Sequence, residues 1–239
     1  MSRHAIVDSA SHGALRVRTG ASPELGDAVM ACFTFPLEFR RVQNDFPILY
    51  RRDLETGLFS AVALFGFEDG ENLFLTASGW DARYRPLAMA IQPFLLGRPA
   101  DGNGPGQVHI DLDHPRIADG EEGVRLFDHH GAATPYLETI AGQLGELDQG
   151  YRTASDYYAA LERYDLLEPF TLDVTLEDGA RNYLVGFHIA DEQKLRLLDS
   201  ATLGALHAAG HLMPIFMAMA SLSNLAGLVA RKNRALARG

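Results

Sequence analysis

The sequence predicts an α+β fold, in which an antiparallel-rich mixed sheet from the N-terminal half and a late hairpin packs against C-terminal helices. Three observations predict it. Short apolar runs bounded by turn residues fill the first half of the chain, as strands do. Past about residue 130 the apolar period lengthens to that of helices. Among those helices, the stretch Phe170–Ala190 alternates on both sides of Asp178-Gly179, a hairpin signal. Strands followed by helices speak against a regular parallel α/β sheet.

Taken in order, GALRVR (13–18) and AVMACFTF (28–35) read as strands, and LEFRRVQND (37–45) as a short helix or turn. FPILYRRD (46–53) and LFSAVALFGF (58–67) are apolar runs between turns, and EDGENLFL (68–75) supplies a turn and a further strand. AMAIQPFLLG (88–97) and QVHIDLD (107–113) add two strands, separated by RPADGNGPG (98–106). That loop has closely spaced glycines and prolines but no helix after it. It is a flexible connection and not a phosphate cradle. A second loop runs from His114 to about Gly123.

TPYLETIAGQLGELDQG (134–150) opens a helix with Thr134 as cap, Pro135 at the first helical position and Glu138 three residues on. TASDYYAALERYDLL (153–167) reads as a second helix, capped by Thr153. DEQKLRLLD (191–199) and SATLGALHAAG (200–210) are short helices. Leu212 to Leu236 reads as a central core helix. Leu212, Ile215, Met219, Leu222, Ala226 and Val229 share one face, while Ser221, Asn224 and Gly227 lie on others. From Ala201 to Ala230 there is no Asp, Glu, Lys or Arg, and Arg231, Lys232 and Arg234 follow. Length and basic flank suit a membrane span. His207, His211, Pro214, Ser221, Ser223 and Asn224 suit it poorly, so a membrane role is not the expectation.

The 239 residues, 47% apolar and 22% charged, read as one globular domain over 1–239, large enough to need no disulfide or metal staple. The net charge of −10 argues against nucleic-acid partners, which usually meet a basic face. The one cysteine, Cys32, lies in an apolar run and reads as a packing thiol. The first residues show no apolar core or cleavage site of a secretory signal, which places the chain in the cytoplasm.

Seven segments carry a family resemblance: EFRRVQNDFPILY, GENLFL followed by GWDARYRP, HIDLD, GVRLFDHHG, YRTASDYYAALERYDLL, ADEQKLRLLD and SLSNLAGLVARKN. In their order and spacing, from Phe33 to Arg234, the chain resembles the SapC family of bacterial proteins. The family takes its name from a surface-layer-associated gene, and some members carry transporter-like labels, so the resemblance implies a link to the cell envelope and supplies no mechanism. One departure stands out. Where the family pattern has an Arg-Arg-Tyr-Pro-Phe-like stretch, this chain has Ala90-Ile91-Gln92-Pro93-Phe94. An anion-binding role for those arginines would not carry over.

Two constellations suggest chemistry. His109, Asp111 and Asp113 would share one face of a strand, with His114, His129 and His130 further on. A His-x-Asp pair with a distant His is the ligand set of non-haem iron oxygenases. The plainer reading is a polar strand end leading into a turn, and of these residues Asp111 alone matches the family pattern. His207 and His211 are spaced as a zinc pair, but they lack the intervening glutamate, and Gly210 and Pro214 break the helix. No GxSxG elbow is present. The second constellation is GWDARYRP. Trp80, Arg83, Tyr84, Arg85 and, further on, Phe94 combine aromatic faces with guanidinium groups, a mixture suited to a planar or anionic ligand or to a partner protein. The expectation is therefore a non-enzymatic binding protein without a cofactor. The alternatives are an iron-dependent oxygenase using His109, Asp111 and His114 or a later histidine, and an envelope component.

Overall fold

The computed structural model describes residues 3–97, 106–118 and 120–237. In chain order the strands are β1 (His4–Ile6), β2 (Arg16–Val17), β3 (Ala31–Thr34), β4 (Ile48–Arg52), β5 (Phe59–Leu64), β6 (Leu75–Thr76), β7 (Gly79–Trp80), β8 (Phe94–Gly97), β9 (Gln107–Asp111), β10 (Ile117–Ala118), β11 (Val124–Arg125), β12 (Leu167–Thr175) and β13 (Arg181–Ala190). The helices are α1 (Ser9–His12), α2 (Phe39–Val42), α3 (Leu87–Ala90), α4 (Pro135–Arg163), α5 (Glu192–Leu197), α6 (Ser200–Ala208), α7 (Leu212–Ser221) and α8 (Asn224–Leu236). The α+β class is as the sequence predicts. The chain divides into two compact units. One holds Met1–Ala28, Leu75–Asp81 and Leu87–Gln149, and the other Val29–Phe74, Ala82–Pro86 and Gly150–Gly239.

The first unit contains small antiparallel sheets, ordered β1-β9-β8 and β10-β2-β11, and the ribbon β6-β7. Val17, Ile91, Phe94, Ile110, Leu126 and Leu137 form part of its core. A buried ion pair ties its segments together. Arg116, with 1% of its side chain exposed, places Nη2 2.7 Å from each oxygen of Asp27. Its Nη1 donates to the carbonyls of Arg18 and Gly20 at 3.0 and 2.7 Å. A charge buried this deeply is stable only when so many of its donors are engaged. The strands over 94–111 were expected to extend the main sheet, and they build a separate sheet with β1 instead. Of AMAIQPFLLG only Phe94–Gly97 is strand, since Leu87–Ala90 turns as a helix ahead of Pro93. The expected loop over 98–106 lies, but for Gly106, outside the described residues.

The second unit has one five-stranded sheet, β12-β13-β4-β5-β3, with antiparallel neighbours throughout. The hairpin β12–β13 turns at Asp178-Gly179, where Gly179 takes φ +86° and Leu176 N–H donates to Ala180 O at 2.8 Å. It docks on the N-terminal strands through Phe187 opposite Arg51 and His188 opposite Tyr50.

Two helix expectations are corrected. The segments 134–150 and 153–167 form one 29-residue helix. Thr153 lies inside this helix and not at a helix start, and its hydroxyl donates back to Gly150 O at 3.4 Å. Gly150 is no stop either. A Cβ there would lie 3.1 Å from Phe35 Cβ, so the glycine serves a close approach inside a continuing helix. The segment Leu212–Leu236, with mean hydropathy 1.7 in its most apolar window, is two helices. At Leu222 and Ser223 the bonding tightens to i→i+3, with N–H groups donating to Met219 O and Ala220 O at 3.2 and 3.3 Å. It is not a central core helix, because 28% of that window is buried and Met213 and Phe216 face outward. Ser221, expected off the apolar face, is fully buried. It accepts Ile48 N–H at 2.8 Å and donates to Ala218 O at 2.6 Å. Lys232, near the helix end, pairs with Glu71 and Glu68 at 2.6 and 2.9 Å.

Ser221→Ala strands the buried Ile48 amide and is expected to cost about 1–3 kcal/mol, read as a lower urea midpoint with unchanged slope.

Candidate functional site

The residues singled out in the sequence are dispersed. Trp80 and Phe94 belong to the first unit and Arg83, Tyr84 and Arg85 to the second. Trp80 is half-buried on β7, opposite Leu75. Phe94 is 3% exposed and packs edge-on against Tyr136 as a core side chain. Arg83 donates to Asp45 Oδ1 at 2.9 Å and to the carbonyl of Asn44. Tyr84 donates its hydroxyl to Glu38 Oε1 at 2.7 Å, and the Arg41 guanidinium lies 5.1 Å above its ring. Arg85 is half-buried. The segment 82–86 is thus a strap holding α2 and the residues before it.

The histidines are equally scattered. The His109 ring packs on Gly97, where a Cβ would fall 2.1 Å from its Nε2. Asp111 Oδ1 accepts Asp113 N–H at 3.1 Å. His114 Nδ1 accepts Arg116 N–H at 3.1 Å, and burial, then the Arg116 charge, lowers the imidazole pKa. His129 and His130 face each other at 3.8 Å in an exposed turn. His207 lies in the last turn of α6, and Gly210, at φ +75°, carries His211 off its helical face. Among the described residues no three His, Cys, Asp or Glu side chains are grouped to hold a metal ion. The Cys32 thiol pKa is pushed well above its ordinary value by burial and by Glu38, which makes it a poor nucleophile.

What the second unit does assemble is a cleft of about 440 Å³ that no motif marks. Pro36, Leu37 and Arg40 form one wall, the buried Tyr157 of α4 the base with Thr153 and Asp156 at its edge, and Gly210, His211, Met213 and Met217 the other wall. At the base, the hydroxyls of Tyr157 and Tyr50 meet at 2.5 Å, and burial raises both pKa values. The neighbouring Tyr158 hydroxyl, pushed up to about 12 by burial, accepts Ala61 N–H at 2.9 Å. These phenols are neutral structural partners. His211 stacks edge-on against Tyr157 at 5.7 Å. Burial lowers its pKa and Asp156 offsets this in part, so the imidazole is neutral at pH 7 and can donate or accept. Leu37 and Met213 are each 54% exposed at the lip, beside one charge of each sign, Arg40 and Asp156. A second hollow, of about 340 Å³, shares Asp156, Ala209 and His211 and is floored by alanines of α4 and α6.

The strap bears on this cleft. Glu38, 1% exposed, lies between the wall residues Leu37 and Arg40, and its second oxygen takes the Thr34 hydroxyl at 2.8 Å. Tyr84 is therefore a positioning residue for the wall. Sequence reasoning missed the cleft itself. The available signal was Met213 and Met217 inside the charge-free run, which pattern alone assigns to a core.

Fold and site define an α+β protein with an open amphipathic cleft in its second unit. The SapC family model matches residues 7–228, and the chain belongs to the SapC family. No curated protein and no solved structure matches it.

Tyr84→Phe removes a bond to a buried carboxyl group and is expected to cost about 1–3 kcal/mol in chemical denaturation. The pH dependence follows from His114, His188 and His211, whose pKa values burial lowers in the folded chain. The unfolded chain then binds more protons between the folded values and about 6.5. Stability is complete above about pH 6.5 and declines as pH falls through that window, and His211→Gln is expected to flatten the slope of melting temperature against pH.

Proposed function

We propose that this protein is a non-enzymatic binding protein that recognises a partner through the cleft between Leu37 and Met213. The observation that carries the reading is the exposure of these two apolar side chains beside opposite charges and a neutral imidazole. An apolar centre inside a polar rim is the anatomy of a protein–protein hot spot, and methionine adapts to the partner's shape. A protein segment suits the site better than a small molecule. Small-molecule sites enclose most of their ligand, whereas this cleft is open along its lip.

The test is an amide-shift NMR titration with short peptides that carry an aliphatic or aromatic anchor beside a charged residue. Shifts are expected to cluster at Leu37, His211 and Met213, with Met213→Asp weakening binding by at least about tenfold. Shifts confined to other regions, or none with any peptide, reject the reading.

A further inference from the structure

We propose that His211 makes recognition at this cleft pH-sensitive, its neutral imidazole admitting the partner and its protonated form turning the partner away. The inference deepens the binding reading and rests on it. His211 stands at the corner between α6 and α7, where its N–H donates to Leu206 O at 2.9 Å and its carbonyl accepts Ile215 N–H at 3.3 Å. Its place is therefore fixed from both sides. The ring lies edge-on to the buried Tyr157 and lines both hollows, the cleft and its neighbour of about 340 Å³. Among the described residues lining them, no other side chain is of a type that titrates near neutrality. Neither ring nitrogen has a hydrogen-bond partner among the described residues, so both are left to water or to an occupant.

The groups around the ring set the sign. Asp156 of α4 lines both hollows, Arg40 of α2 lines the cleft and Arg163 of α4 its neighbour, with Tyr157 and Tyr164 as the phenols. His207 of α6 lines neither, and no Asp, Glu, Lys or Arg lies between Ala201 and Ala230 to add a charge from α6 or α7. Burial favours the neutral ring and Asp156 offsets this in part, so the ring takes its proton below the ordinary imidazole value of about 6.5. The N-terminal end of α7, where His211 stands, acts in the same direction as burial. A neutral imidazole has one donor and one acceptor, which match a carbonyl and an N–H of a partner's backbone. The imidazolium has two donors and no acceptor, and its charge loses water when an apolar anchor seats between Leu37 and Met213. Affinity therefore falls as pH falls through the titration, and by linkage a seated partner lowers the pKa of the ring further.

The test follows the His211 ring by NMR between about pH 5 and 8 in the full chain, its signal assigned by its loss in His211→Gln, and measures peptide affinity at about pH 7.5 and 5.5. The probes are acetylated, amidated peptides with a leucine or phenylalanine anchor beside a lysine, which have no titrating group in that range. The free ring is expected to titrate below about 6.5, and lower still in Asp156→Asn, which removes the one nearby anion without breaking a bond among the described residues. The dissociation constant is expected to rise at least about fivefold on acidification, and this ratio is expected to fall to about one in His211→Gln. A free ring that titrates at or above about 6.5 overturns the proposal, as does an affinity that is constant or grows on acidification, or a pH dependence that survives in His211→Gln. Cleft shifts at about pH 7.5 with a pH-independent affinity overturn the switch while sustaining the binding reading. An absence of cleft shifts at both pH values overturns both.

Discussion

Glu38 uses its two carboxyl oxygens in different directions. One takes the hydroxyl of Thr34 at the end of β3, and the other that of Tyr84 in the strap. Burying a carboxyl group without partners is strongly unfavourable, so the site is stable only while both segments stay in place. Because Glu38 stands between Leu37 and Arg40, the same constraint fixes the cleft wall. A wall held in advance reduces the ordering cost of binding.

The same device recurs where distant parts of the chain meet. Arg116 reaches Asp27 across 89 positions, Ser221 reaches Ile48 across 173, and Lys232 reaches Glu71 across 161. Apolar contacts alone tolerate sliding and repacking, whereas a buried hydrogen bond has one satisfactory geometry. Polar groups thus register the segments, while the apolar residues around them supply most of the driving force for burial.

Much of the fold was legible because its signals are local. The alternation around Asp178-Gly179, the apolar runs of β4 and β5, and the start of α4 at Thr134-Pro135 each stand within a few residues. The errors arose where a local signal had a distant cause. Gly150 resembles a helix stop until Phe35 is seen against it, and Ser221 resembles a surface serine until the Ile48 amide is found beside it. In the aromatic–arginine segment, Arg83 and Tyr84 bond Asp45 and Glu38, partners that no local pattern reveals. The cleft was illegible for the same reason, since its walls come from three segments with no common motif. Composition marked 201–230 as apolar and could not say which of its sides the chain itself covers.

The pairing of β4 with β13 also sets an order of events during synthesis. The strand Ile48–Arg52 emerges early, with an apolar start, and its neighbour Arg181–Ala190 is made only after most of the chain of the first unit has been added. Loop closure over such a span is slow, and an exposed strand edge invites wrong pairing while it waits. The nascent chain therefore carries an unfinished sheet through much of its translation, and its yield in a cell is expected to depend on chaperones that shield β4 and β5 until the late hairpin arrives.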